Sequence, residues 1–269
     1  MANILIISGV VPARINANLA YATKLKEAGH KIFCASPTDV SNLVVSRGFT
    51  FYKLKPESGE MLLNGSSLQG EPGSKQEKLA KLLEMIDDDR LPDVIDATSP
   101  DLILIDCELP SLIMKACAYP IKVVLLSTMF TMWKFPNVPP LHNVAVPGQG
   151  RRGGRLTIEL LWRKYWLTLA KRRFDERRQA GGLDRVTVLR AYAKRVGFPF
   201  AREAEPYMWM FPFSFRTLPI IATSAAEMDL PHTPKSNFHY AGPILHIGRS
   251  EPAVAGRDSA KISTFLKDR

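Results

Sequence analysis

The chain has 269 residues, 46% of them hydrophobic and 23% charged. That length suits one large domain or two small ones, and that balance excludes global disorder. The formal charge is +10, but residues 151–178 alone hold ten basic groups against three acids, which excludes the even basic coat of a nucleic-acid binder.

The first element in chain order is residues 3–7, Asn-Ile-Leu-Ile-Ile, closed by Ser8-Gly9. A short, unbroken apolar run of this kind predicts a strand buried on both faces of a parallel sheet. A loop is expected over 10–16, then a helix over 17–28, capped by Asn16 or Asn18 and ended by Gly29. Residues 31–35 predict a second strand, 38–47 a helix and 49–54 a third strand. Residues 57–74 are rich in glycine and serine and predict a loop. A helix over 75–88 follows. Strands are expected at 101–106 and 121–127, with a short helix over 109–118 between them that takes Pro110 in its first turn. A proline-rich loop over 131–154 leads to helices over 155–179 and 185–196. Strands at 218–223 and 238–243 close the pattern, and the tail from Gly248 reads as a linker. The alternation is that of an α/β chain folded as a doubly wound, mostly parallel sheet.

Three cysteines, Cys34, Cys107 and Cys117, are too few for a disulfide framework and lack metal-site spacing, so no metal is expected. Cys34 and Cys107 lie in apolar runs and read as buried structural thiols. The N-terminal apolar run is broken by Gly9 and Pro12 and has no basic residue ahead of it, a poor signal peptide. No stretch approaches the ~20 apolar residues of a membrane span. A cytoplasmic protein is the expectation.

Ligands of doubly wound sheets sit beyond the carboxyl ends of the strands. Three segments are expected there: Ser8 to Asn16, Asp106-Cys-Glu108, and Ser127 to Trp133. Asp106 can orient a base or pair with a substrate hydroxyl, or it can simply cap the next helix; Glu108 is expected to be solvated. The loop after the first strand has neither G-x-G-x-x-G nor a Walker A sequence, which counts against a dinucleotide enzyme and a P-loop NTPase. The five histidines are scattered. Met129, Phe130 and Trp133, with a second aromatic run over 207–215 that includes Trp209, suggest an apolar acceptor pocket. In the basic helix, Ile158, Leu161, Trp162, Tyr165 and Leu169 share one face, while Leu156, Leu160 and Leu167 fall opposite. A membrane-surface helix has a cleaner stripe. The helix is therefore read as a cover over an acceptor cleft, with membrane contact the lesser alternative.

Several stretches resemble one family. Residues 14–30 run from Arg14-Ile-Asn-Ala-Asn to Glu-Ala-Gly-His30, like a first loop and helix of the form His-x-Asn/Pro…Gly-His. Pro100-Asp-Leu-Ile-Leu-Ile-Asp106, Val123-Val-Leu-Leu-Ser-Thr128, Ala225-Ala-Glu-Met-Asp-Leu-Pro231 and His239-Tyr-Ala-Gly-Pro243 follow in the family's order. Together they resemble the N-terminal domain of the UDP-glycosyltransferases and macrolide glycosyltransferases, which have the GT-B fold.

The resemblance implies a Rossmann-like, acceptor-binding domain over 1–247 and the start of an interdomain linker over 248–269, with the donor-binding domain missing from these residues, so that the chain is expected to be truncated or completed by another chain. It implies metal-independent, inverting transfer of a sugar from a UDP-sugar to an acceptor hydroxyl, with no cofactor bound by this chain. A small-molecule acceptor is the implied partner, and nucleic acid is not. Asp106 matches the aspartate that holds the family's histidine base. The base position itself is Arg14, which cannot take a proton at neutral pH. Either Asp106 acts alone, another group substitutes, or transfer is weak. Asn16, Ser127, Met129, Phe130, Trp133 and Trp209 are the expected acceptor contacts. The competing reading is a non-catalytic, diverged acceptor domain that binds a lipid or a protein partner.

Overall fold

Every residue of the strand Asn3–Ile7 after the first is buried, as its unbroken apolar sequence requires. It is the central strand of the protein, seen in a computed structural model that describes residues 1–9, 11–55, 72–130, 133–140, 148, 154–205 and 213–242. The expected linker over 248–269 lies outside the described residues.

In chain order the elements are β1 (Asn3–Ile7), α1 (Pro12–Glu27), β2 (Lys31–Ser36), α2 (Ser41–Val45), β3 (Thr50–Lys53), α3 (Lys75–Asp87), α4 (Leu91–Thr98), β4 (Leu102–Asp106), α5 (Pro110–Ala116) and β5 (Lys122–Ser127). Then come α6 (Arg155–Gln179), α7 (Arg185–Arg195), α8 (Phe200–Glu203), β6 (Ala204–Glu205), β7 (Ser214–Phe215), β8 (Ile220–Ala222) and β9 (Phe238–Tyr240). Seven strands form one sheet in the order β3-β2-β1-β4-β5-β8-β9, and each neighbouring pair is parallel. The chain winds outward from β1 to β3, returns to β4 beside β1, and winds outward the other way. Its direction therefore switches between β1 and β4, where a doubly wound sheet opens its ligand crevice. β6 and β7 pair separately as a small antiparallel ribbon.

Alternation along the strands feeds two cores. Leu5, Ile7, Ile103, Ile105 and Leu125 pack with Trp162, Tyr192 and Phe215 on one face. Ile4, Ile6, Cys34, Leu104 and Leu126 pack on the other with Ile15, Leu19 and Ala22 of α1. Both faces being covered explains why these strands are apolar throughout.

Two helices depart from expectation. α1 begins at Pro12, so most of the loop expected over 10–16 is its first turn. Pro12 sits at the head of the helix, where its fixed φ suits the first turn, and the backbone N–H groups of Arg14 and Ile15 donate to the Val11 carbonyl. Asn16 and Asn18 are thus inside the helix and cap nothing. α4 was not expected at all; its sequence, Leu-Pro-Asp-Val-Ile-Asp-Ala-Thr, buries Leu91, Val94, Ile95 and Thr98.

A buried polar cluster ties α3, α5 and α7 together. Lys115 Nζ donates to the Asp87 carbonyl at 2.7 Å and to Asp89 Oδ1 at 3.0 Å. Arg195 reaches Asp87 at 3.0 Å. Burial raises the pKa of Asp89, against the pull of the Leu91 N–H and Lys115. Removing one member of such a pair leaves the other charge buried and costs more than the pair itself contributes. Lys115→Met is therefore expected to lower the unfolding free energy by about 3 kcal/mol. Urea denaturation measures this, and Lys115→Met/Asp89→Asn is expected to recover part of the loss.

Candidate functional site at the strand switch

β1 and β4 lie side by side, with Ile7 opposite Ile105, so Gly9 and Asp106 meet just past the strand ends. The Gly9 N–H donates to Asp106 Oδ2 at 3.3 Å, and the Glu108 N–H donates to Oδ1 at 3.0 Å. A Cβ at position 9 would stand 2.9 Å from Asp106 Oδ2, so this close approach needs glycine. Asp106 is 3% exposed. Burial raises its pKa from 3.8 to about 6, outweighing the Arg14 charge and the Gly9 hydrogen bond, which both pull it down.

The first turn of α1 carries Arg14 into the same place. Arg14 is buried, and its Nη1 forms an ion pair with Glu108 Oε2. Its Nη2 lies 3.9 Å from Met129 Sδ. One expectation is corrected here. Glu108 is not solvated, because the turn after β4 folds it back onto the guanidinium. The ion-pair partner of Arg14 is Glu108, and the net effect on Asp106 is a higher pKa, because desolvation dominates.

One turn further along α1, Asn18 is 1% exposed and its Nδ2 donates to Ser8 Oγ at 3.0 Å. Asn18 Oδ1 is buried without a hydrogen-bond partner among the described residues. Asn18, Ser8 and Glu108 thus join the cluster. The signal for Asn18 was its spacing, one helical turn beyond Arg14, which becomes legible only once the helix is started at Pro12.

The expected acceptor residues divide. Ser127 ends β5, is 2% exposed, and accepts from the Met129 N–H at 3.3 Å. Trp133 is buried in the larger core, edge-on to Phe238 at 5.5 Å and beneath Lys235 Nζ at 4.5 Å. Together with Cys107, Phe213 and Phe215, Ser127 and Trp133 line a cavity of about 10 Å³, room for one water at most. Met129 and Phe130 are half-buried and do not line it. Asn16 turns away, its Oδ1 accepting from Arg47 at 3.0 Å. Trp209 lies outside the described residues.

Cys107 borders both Asp106 and Ser127. Burial, reinforced by the Asp106 charge, pushes its thiol up to about 12, so it is no nucleophile at neutral pH. No group of three or more potential metal ligands occurs among the described residues. His232 stacks on Phe135 at 4.3 Å, and its Nδ1 lies 2.6 Å from the Leu230 carbonyl oxygen.

No protein-family model matches the chain, and no curated protein matches it. Among solved structures, the calicheamicin glycosyltransferase CalG4 aligns over 94% of this chain and 54% of its own, at 14% identity and a TM-score of 0.52. SsfS6, a glycosyltransferase of Streptomyces sp. SF2575, aligns over 85% and 52%, at 13% identity and a TM-score of 0.46. The spinosyn forosaminyltransferase SpnP aligns over 89% and 49%, at 15% identity and a TM-score of 0.44. The chain has the Rossmann-like fold found in CalG4 and spans about half the length of these enzymes.

The raised pKa of Asp106 has a signed consequence. The folded state holds the proton more tightly than the unfolded state, so the stability from this group is complete below about pH 4 and lost as pH rises through about 6. At 1.36 kcal/mol per unit, the loss is about 3 kcal/mol. Asp106→Asn removes the titration while keeping the shape. Unfolding free energies of the two proteins, measured at acid and neutral pH, are expected to shift by about that amount in favour of the variant as pH rises. A pH-independent difference contradicts the burial of this carboxylate.

Proposed function

We propose that this chain is the acceptor-binding half of a glycosyltransferase. In this reading a sugar passes from a UDP-sugar, held by a second domain, to a hydroxyl of a small, largely apolar acceptor. The observation that carries the reading is Asp106. It is buried at the β1/β4 switch of a parallel sheet, beside the first turn of α1, and has a pKa near neutrality. The fold shared with CalG4 supports it. The described residues contain no helix long and apolar enough to cross a membrane, and a cytoplasmic location is part of the proposal.

The chain's own groups then divide the work. Arg14 is a permanent cation and accepts no proton. Asp106, ionised above about pH 6, is the group able to take the acceptor's proton, and a base with a pKa near the working pH is well matched to that task. Gly9 and Glu108 hold its two oxygens through their backbone N–H groups and fix its direction. Arg14, locked to Glu108, places a positive charge beside the carboxylate and keeps its pKa from rising further.

A second reading has its own observation. The ion pair of Arg14 with Glu108 fills the place where the resemblance puts a histidine base. That favours a diverged acceptor domain which binds its ligand without catalysing transfer.

Thermal shift separates donor from acceptor recognition. Hydroxylated apolar compounds, such as flavonols and macrolide aglycones, are expected to raise the Tm of the chain, and UDP-glucose is not. Stabilisation by UDP-glucose alone overturns the acceptor assignment. Transfer kinetics separate the two readings, using the chain fused to a donor-binding domain. Arg14→His, combined with Glu108→Gln so that no buried carboxylate is left unpaired, is expected to raise the initial rate by roughly 10²–10⁴-fold. Adding Asp106→Asn is expected to abolish the gain. A rate indistinguishable from background in every variant favours the non-catalytic reading.

A further inference from the structure

Helix α6 has two apolar faces. Ile158 and Trp162 are buried, and the Trp162 indole N–H donates to the Val138 carbonyl at 2.7 Å. This face fastens the helix to the core. The opposite face carries Leu156, Leu160, Leu167 and Phe174, which are 82%, 61%, 72% and 66% exposed. The stripe continues through 156, 160, 163, 167, 170, 174 and 177, alternating steps of four and three, and all seven positions are exposed. Leu156 and Phe174 are separated by five full turns, so the stripe is about 27 Å long at 1.5 Å per residue. The apolar residues looked unconfined in the sequence because two separate stripes were superimposed.

Basic side chains border this outer stripe. Arg163 and Arg177 lie on it, Arg177 reaching Asp184 at 3.9 Å, and Lys164, Lys171 and Arg178 run along one side. Lys164, Lys171 and Arg178 make no ion pair among the described residues; of the three acids on the helix, Glu159 and Glu176 are engaged by Lys134 and Arg172, and the exposed Asp175 stands on the side of the basic row without offsetting its three charges. A row of leucine and phenylalanine with arginine within it and lysine and arginine along one side suits a helix lying in a lipid–water interface.

We propose that the outer face of α6 docks this protein on an anionic phospholipid surface. Two features of the stripe select lipid over its rivals. A second copy of the helix packed along the seam would bury Arg163 and Arg177 against a like-charged face, which is costly. On a membrane the same side chains extend their guanidinium groups to the phosphates while their stems cover apolar surface. Nucleic acid meets the basic residues but leaves four large apolar side chains in water. The free positive charges match lipid phosphate, and each adds to attraction toward an anionic leaflet. The proposal holds whether or not the chain transfers sugar.

The test is vesicle flotation of the full chain at low ionic strength. One set of vesicles is phosphatidylcholine alone, and the other is phosphatidylcholine mixed equally with phosphatidylglycerol. Binding is expected to the mixed vesicles, at least about tenfold weaker to neutral ones, and weakened by salt. Leu160→Glu/Leu167→Glu alters only exposed positions and is expected to reduce binding by about tenfold or more, with thermal unfolding unchanged. Lys164→Gln/Lys171→Gln/Arg178→Gln is expected to reduce it by about a hundredfold. No binding to anionic vesicles, equal binding to both kinds, or full binding by the Leu160→Glu/Leu167→Glu variant overturns the proposal. So does a lipid-free dimer in sedimentation that the leucine substitutions dissolve.

Discussion

The structure depends on how three charged side chains are accommodated at one end of a sheet whose central strands are mainly apolar. Arg14, Asp106 and Glu108 converge where β1 and β4 end, between two hydrophobic cores. Isolated charges there would cost several kcal/mol each. The fold offsets that cost by geometry. The parallel register of β1 and β4 brings the Gly9 N–H onto one oxygen of Asp106, and the turn after β4 brings the Glu108 N–H onto the other. Glycine at position 9 leaves room for the Asp106 carboxylate against the backbone of β1's end. Pro12 starts α1 early enough for its first turn to deliver the Arg14 guanidinium to Glu108.

Much of the fold was legible because its signals are local. Unbroken apolar runs marked β1, β4 and β5 within a residue of their observed ends, and the good helix formers of 155–179 marked α6. The two misjudged helices show the limit. At α1 the decisive residue is Pro12, which lies in the segment expected as a loop over 10–16 and serves instead as a first-turn residue. At α4 eight residues gain their helicity from burying Leu91, Val94, Ile95 and Thr98 against the rest of the protein, which no local period reveals in so short a segment.

The site was legible in outline only. Topology placed Asp106 at the switch, and the resemblance pointed to Arg14 beside it. What escaped was the identity of the partner. Glu108 looks like a loop acid, and its burial follows from the turn folding back under α1, a contact across 94 residues of chain. Trp133 was expected to face an open pocket because it lies among prolines. It instead fills the core against Phe238 and leaves space for little more than a water. An aromatic residue in an irregular segment can plug a core or wall a pocket, and packing decides between the two.

Arg14, at the position that resembles a catalytic base, is here one half of a largely buried ion pair with Glu108. A double-mutant cycle on stability tests it most directly, with Arg14→Met, Glu108→Leu and the double variant measured by urea unfolding. A buried pair gives a coupling energy of about 1.5–3 kcal/mol, because each single variant leaves the opposite charge stranded. Additivity within about 0.5 kcal/mol would mean that Arg14 and Glu108 do not meet, and would contradict the account.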